Sequence, residues 1–282
     1  MTTAFVLSGG GNLGCVQVGM LRTLVERGVV PDLIVGTSVG SLNGAWLAVR
    51  GARADVGELE SIWRQMRRQV VFPAKPLTSF NAVFGRKAHL VPAHGLRRVI
   101  EQAVLGSVAV GRRLEDTAIE FHVVATDIRT GHDVLLSRGD LVDSVCASAA
   151  IPGVFPIVEI DGQSLVDGGV VNNCPISHAV ALGASEIWAL PCGYACSLPR
   201  APSGALETAV QAISLLVQHR LVLDVERYRD DVELHVFPTL CPVKVGPLDF
   251  GQSESLMRAS YSLSSDWFDD RTVGQRPGLH RH

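Results

Sequence analysis

Five residues, Gly36-Thr37-Ser38-Val39-Gly40, constrain this chain more than any other stretch. They fit Gly-x-Ser-x-Gly, and their setting matters more than the pattern. Leu33, Ile34 and Val35 before them form a short apolar run that reads as a buried strand. Residues 42–49 after them read as a helix with Gly44 and Ala45 near its start. Strand, tight turn with serine at the apex, then helix is the setting of a nucleophile elbow. Such a turn strains the serine backbone, so the residues two positions away on either side must be small, and Gly36 and Gly40 are. The helix start aims unpaired N–H groups and the positive end of its dipole at the serine oxygen. The competing reading is an ordinary strand-to-helix turn that contains a serine.

Around this stretch the chain alternates strand and helix. Residues 4–7 read as a buried strand, followed by the glycine loop Ser8-Gly9-Gly10-Gly11-Asn12-Leu13-Gly14. Val16, Met20, Leu21 and Leu24 then recur at helical spacing until Gly28. Further helices are expected over residues 56–68, 94–105, 141–150, 175–182, 206–228 and 253–268. Further strands are expected over 119–125, 134–136, 156–160, 186–190 and 232–237, with turn signals at Thr130-Gly131 and Asp161-Gly162. The alternation predicts an α/β fold, a largely parallel central sheet flanked by helices on both faces. No Pro/Gly/Ser-rich linker divides the 282 residues, so one domain is expected over 1–268, with a polar tail, 269–282, expected to be disordered.

Composition excludes several function classes. A net charge of −3 gives no electrostatic case for nucleic acid, and no nucleic-acid-reading motif is present. The first residues lack a basic region and read as a strand rather than a signal peptide. No apolar run reaches the roughly 18 residues of a membrane span, so a cytoplasmic location is expected. Cys15, Cys146 and Cys174 fall in predicted core segments and read as small buried hydrophobes. Cys192 and Cys196 could approach one another, but no histidine lies close by, and no metal site is expected.

The glycine loop supports two readings. Gly9-x-Gly11-x-x-Gly14 matches the dinucleotide fingerprint, which also wants an acid at the end of the second strand. The nearby acid, Asp32, lies at that strand's beginning. Alternatively, successive glycines turn backbone N–H groups toward one point, as an oxyanion hole requires. In a doubly wound sheet the first two strands end on one rim, so this loop and Ser38 face the same crevice. Ser38 also needs a proton acceptor. His122 and Asp127 match a His-x4-Asp spacing, but five residues apart on a strand they face opposite sides. Asp167-Gly168-Gly169 is the better candidate, a carboxylate on a tight loop, against the alternative of a simple turn aspartate.

Taken together, the motifs resemble the patatin-like phospholipases over residues 4–190. The family pattern is a glycine-rich loop, a Gly-x-Ser-x-Gly elbow and a late Asp-Gly-Gly or Asp-Gly-Ala, here Gly9 to Gly14, Gly36 to Gly40 and Asp167 to Gly169. Residues 147–155 and 167–175 also look like the family's segments around its aspartate. The resemblance implies a three-layer α/β fold and a lipid acyl hydrolase working through a serine-aspartate dyad. Ser38 would be the nucleophile and Asp167 the base. Backbone N–H groups around Gly10, Gly11 and Asn12 would hold the oxyanion, and Gly9 and Gly14 would shape the loop. The implied substrate is a lipid or other acyl ester, with no metal, calcium or other cofactor. Leu13 departs from the pattern, since the family usually carries arginine or lysine there. That departure motivates the alternative of a non-catalytic lipid-binding or regulatory protein. Peripheral membrane contact is an expectation of lipid hydrolysis. Its candidates are Phe72, Phe80, Phe84 and Leu90 in the irregular stretch 70–92, and Leu215, Leu216, Leu221 and Leu223 on the long helix, against the alternative that all are core.

Overall fold

A computed structural model of the chain describes residues 1–72, 89–106, 112–193, 201–241, 243, 245 and 249–270. The strands are β1 (Thr3–Leu7), β2 (Leu33–Thr37), β3 (Glu120–Asp127), β4 (His132–Leu136), β5 (Val158–Ile160), β6 (Gln163–Asp167), β7 (Glu186–Leu190) and β8 (Glu233–Val236). They form one eight-stranded sheet in the order β5-β6-β3-β2-β1-β7-β8, with β4 paired to β3 off this path. The central run β3-β2-β1-β7-β8 is parallel throughout, while β6 runs antiparallel to β3. The main helices are α1 (Gly14–Glu26), α2 (Val39–Arg50), α3 (Val56–Gln65), α4 (His94–Ile100), α5 (Leu141–Ser148), α6 (Ile176–Ala181), α7 (Ala205–Tyr228) and α8 (Ser253–Asp269).

The strands read as apolar runs because both faces of the sheet are covered. Alternation along each strand sends successive side chains to opposite cores. Phe5, Leu7, Ile34, Phe121, Val123, Trp188 and Leu190 join the larger core, under α1, α2, α5 and α8. Ala4, Val6, Leu33, Val35, Val124, Ile187, Leu234 and Val236 join a smaller one with Ile176, Ala179, Leu221 and Val225 of α6 and α7. Gly131 (φ 73°) closes the β3–β4 turn, and Asp161 (φ 50°) and Gly162 (φ 77°) close the β5–β6 hairpin.

The element boundaries differ from the sequence reading in a few places. The helix expected over 56–68 stops at Gln65, because Met66 is extended, and a single turn (Arg68–Val71) follows. α1 begins earlier than expected, because a 3-10 turn (Gly11–Leu13) leads from the glycine loop directly into it. α4 continues as a π-type turn (Glu101–Leu105). Of the irregular stretch 70–92, Phe72 stacks on Phe155 at 5.4 Å and Leu90 packs against the core. Phe80 and Phe84 lie outside the described residues, as do Cys196 and residues 271–282 of the expected tail. No helix among the described residues is long and apolar enough to cross a membrane.

α1 and α8 cross closely at Gly19. A Cβ there would stand 2.5 Å from Tyr261 N and 2.6 Å from Met257 O, both backbone atoms that cannot swing aside. Gly19→Ala is therefore expected to cost about 1–3 kcal/mol by overpacking, lowering the thermal midpoint by a few degrees. Gly204→Ala, where nothing lies within 4 Å, serves as the control in the same calorimetric scan.

Candidate active site

β2 delivers Ser38 and α2 leaves from it. Ser38 sits at φ 53° and ψ −125°, a left-handed conformation that costs a side-chain-bearing residue about 1–3 kcal/mol. The surroundings hold it there. The Ser38 N–H donates to Ser148 Oγ at 2.7 Å, and Ser148 Oγ donates to Val124 O at 2.6 Å. The Ser38 carbonyl accepts from Ser41 N at 2.9 Å and Ser41 Oγ at 2.6 Å. Gly36 and Gly40 are required by proximity rather than by unusual φ. A Cβ on Gly36 would meet Gly40 O at 2.7 Å, and one on Gly40 would meet Leu7 O at 2.3 Å.

Asp167 ends β6 and pairs with Ala125 of β3, close to where β3 pairs with the end of β2. The antiparallel hairpin thus drops its carboxylate beside the elbow. Ser38 Oγ donates to Asp167 Oδ2 at 2.6 Å, and Gly169 N donates to Asp167 Oδ1 at 2.8 Å. Both Ser38 and Asp167 are 7% exposed. Burial pushes the Asp167 carboxyl from the usual 3.8 up to about 6, against the opposing pull of its hydrogen bonds from Ser38 and Gly169. Gly168 is sterically needed, since a Cβ there would lie 2.2 Å from Val124 O, whereas one on Gly169 would lie 2.7 Å from Oδ1 of the Asn173 side chain.

The glycine loop touches the same place. A Cβ on Gly9 would fall 3.1 Å from Ser38 Cβ. The Gly9 N–H donates to Asn173 O at 3.0 Å, and Asn173 Nδ2 donates to Gly9 O at 3.3 Å. Gly10 abuts Cys192, Gly11 takes φ 58°, and Gly14 packs against Val39 and Trp63. Asn12 Nδ2 donates to Asp249 O at 2.8 Å, and the Leu13 side chain packs against the larger core. Beneath the loop lies a buried polar brace. Gln17 Nε2 donates to Ser8 O and Leu190 O, both at 2.9 Å. Asn43 Nδ2 donates to Gly14 O and Gln17 Oε1, both at 2.9 Å, and Trp63 Nε1 donates to Asn43 Oδ1 at 3.0 Å.

Sequence reasoning missed Gln17, Asn43, Trp63, Ser148 and Asn173. The legible signal for the first two was a neutral polar residue inside an otherwise buried helical segment, which requires partners. The other candidates lie apart. His122 hydrogen-bonds Ser137 Oγ at 2.7 Å and Glu120 Oε1 at 2.9 Å, and Asp127 accepts from Arg129 N, so the His-x4-Asp pair does not meet. Asp32 accepts from Thr3 N at the opposite end of the sheet from the glycine loop. Cys15, Cys146, Cys174 and Cys192 are buried free thiols, and burial pushes all four upward, Cys15 and Cys146 to about 12.

With that geometry in view, the family model described as "Patatin-like phospholipase" matches residues 5–180, and the chain belongs to that family. It is 32% identical over 200 residues to mouse "Patatin-like phospholipase domain-containing protein 6", covering 68% of this chain and 14% of that protein. It is 28% identical over 201 residues to "Lysophospholipase NTE1" of Mycosarcoma maydis, covering 68% of this chain and 10% of that one. The chain therefore spans about a tenth to a seventh of the length of these relatives. Among solved structures, full-length ExoU of the Pseudomonas aeruginosa type III secretion system, in complex with SpcU, aligns with a TM-score of 0.50 at 14% identity. That alignment covers 97% of this chain and 53% of the other, and the likeness is one of fold.

The raised Asp167 carboxyl has a consequence for stability. Its ionisation opposes folding. The penalty is absent below the usual 3.8, grows as pH rises, and is complete above about 6. Replacing it with neutral asparagine is expected to stabilise the protein at pH 8 by about 1–3 kcal/mol. The gain should shrink to about half a kcal/mol at pH 4, as read from denaturant unfolding at the two pH values.

Proposed function

We propose that residues 1–268 form one acyl hydrolase domain that cleaves carboxylic esters of lipids through an acyl-serine intermediate. The observation that carries this reading is the 2.6 Å hydrogen bond from Ser38 Oγ to Asp167 Oδ2, buried at a strained elbow beside the glycine loop. Ser38 Oγ attacks the ester carbonyl while Asp167 takes its proton. The same proton passes to the leaving alkoxide as the tetrahedral intermediate collapses. Water then gives a proton to Asp167, attacks the acyl-serine and releases the fatty acid, and Ser38 recovers its proton. A carboxylate poised near 6 is a stronger base than an exposed aspartate, yet it is mostly ionised at pH 7.

Negative charge develops on the carbonyl oxygen and needs donors. The Gly9 N–H is already committed to Asn173 O, so the N–H groups of Gly10 and Gly11, with Asn12 beside them, are the candidates. Leu13 cannot supply a cation to this loop. The brace of Gln17, Asn43 and Trp63 supports an active loop without one. A lipid substrate is supported by family membership and by relatives named phospholipase and lysophospholipase. Contact with a membrane surface belongs to this reading, because such esters reside in lipid assemblies.

A fluorophosphonate probe should label Ser38 in the wild type, identified by peptide mass spectrometry, and leave Ser38→Ala unlabelled. Labelling elsewhere, or none in a folded protein, overturns the reading. Ser38→Ala and Asp167→Asn are each expected to lower kcat/KM on p-nitrophenyl esters by at least about a thousandfold. In the wild type kcat/KM should rise as pH increases through about 6 and then level, because the base works only when ionised. An activity that falls across that interval would contradict the role of Asp167.

A further inference from the structure

α7 is built in two halves. Toward its end Leu221 and Val225 are buried with Ile176, Ala179, Leu234 and Val236. Nearer its start the pattern inverts. Ile213, Leu215 and Leu216 are 60%, 52% and 70% exposed, and Leu223, which lies between Leu221 and Val225 in the later half, is 49% exposed. At 100° per residue these four fall on one face with Ala212 and His219, and toward the helix end with exposed Glu226 and Arg227, opposite Leu221 and Val225. A solvated helix face ordinarily carries charge. Here residues 208–219 contain no Asp, Glu, Lys or Arg. Arg220, on the flank of the stripe, is paired through Nε with Asp224 Oδ2 at 2.9 Å.

Topology constrains where this helix lies. β7 and β8 are parallel neighbours, so α7 between them must run back against the strand direction. A five-residue strand is about 17 Å long, and a helix recrosses it in about eleven residues. α7 has 24. Its closing residues account for the buried half, and its opening turns extend past the carboxyl ends of the strands. Ser38 and the glycine loop lie at that same end. Val170, three residues beyond Asp167, is 58% exposed, and Ile128, just past the end of β3, is 49% exposed.

We propose that the outward face of α7 seats this protein on a phospholipid surface. A neutral apolar stripe complements the boundary between headgroups and acyl chains, where such a helix lies in the plane of the interface. The opening turns of α7 lie at the same end of the sheet as Ser38 and the glycine loop. The proposal rests on the acyl hydrolase reading for its choice of occupant, and the two can fail separately.

The Ser38→Ala protein is sedimented with phosphatidylcholine vesicles, with and without Leu215→Glu and Leu216→Glu. The parent should pellet with vesicles, and the double variant should partition at least about tenfold more weakly. With Ser38 restored, the double variant should hydrolyse p-nitrophenyl butyrate at the parent rate and vesicle phospholipid at least about tenfold more slowly. Leu216→Ser, at the most exposed of the four positions and without a new charge, should shift vesicle binding in the same direction. Equal vesicle binding by parent and variants overturns the proposal. So does a concentration-dependent dimer in size-exclusion chromatography that the glutamates dissolve, which assigns the stripe to a second copy of the chain. A parent that binds vesicles through this face yet hydrolyses no soluble ester overturns the hydrolase reading instead.

Discussion

The close approach of three backbone segments around Ser38 is the constraint on which the site depends. Gly40 sits where any Cβ would strike Leu7 O, Gly168 where it would strike Val124 O, and Gly9 where it would crowd Ser38 Cβ. β1, β2 and β3 are parallel neighbours, so their carboxyl ends already share one rim. The glycines then allow the turns leaving that rim to converge further than side chains permit. The result places Oγ of residue 38 within hydrogen-bond reach of a carboxylate 129 positions later. Movement of a strand end would propagate to its neighbours, because the Gly40 to Leu7 and Gly168 to Val124 contacts are backbone to backbone and have no rotamer to relax.

This convergence concentrates unfavourable terms in one place. Ser38 holds a left-handed backbone, and Asp167 is ionised in a buried setting at neutral pH. The compensation is local and polar. Ser148 bridges Ser38 N to Val124 O, and Ser41 satisfies the Ser38 carbonyl twice. Each of these bonds is worth about 1 kcal/mol net, but leaving one of the buried groups unsatisfied would cost more. The elbow is therefore held less by the intrinsic preference of its five residues than by hydroxyls contributed from α2 and α5.

That division explains what the sequence disclosed. The succession of strands and helices along the chain was readable because short apolar runs alternate with segments of helical spacing, and most of the observed strands fall on those runs. Ser38, the glycine loop and Asp167-Gly168-Gly169 were readable because turns of this kind tolerate few residues. Asp167 was harder to place in space, since it arrives on β6, an antiparallel strand, and no periodicity announces direction. The roles of Ser148 and Asn173 were not readable, although both fall in segments that look like the family's. One looks like a small residue in a helix rich in small residues, and the other like a loop asparagine. Their roles exist only once α5 and the segment after β6 have packed against β3 and β1.

Leu13 shows the same logic from the other side. A basic residue at that position would anchor the loop by charge, a long-range interaction that leaves geometry loose. Here the loop is held by directional bonds instead. Gln17 spans two carbonyls at the ends of β1 and β7, Asn43 ties Gly14 to Gln17, and Trp63 fixes the orientation of the Asn43 amide. Asn173 clamps Gly9 from the side of the Asp167 loop. A brace of neutral amides keeps the loop in place without adding a cation near the Ser38 to Asp167 bond. A nearby cation would favour the ionised carboxylate and lower its affinity for a proton. The raised carboxyl of Asp167 comes from burial, and the glycine loop beside Ser38 is held by neutral groups.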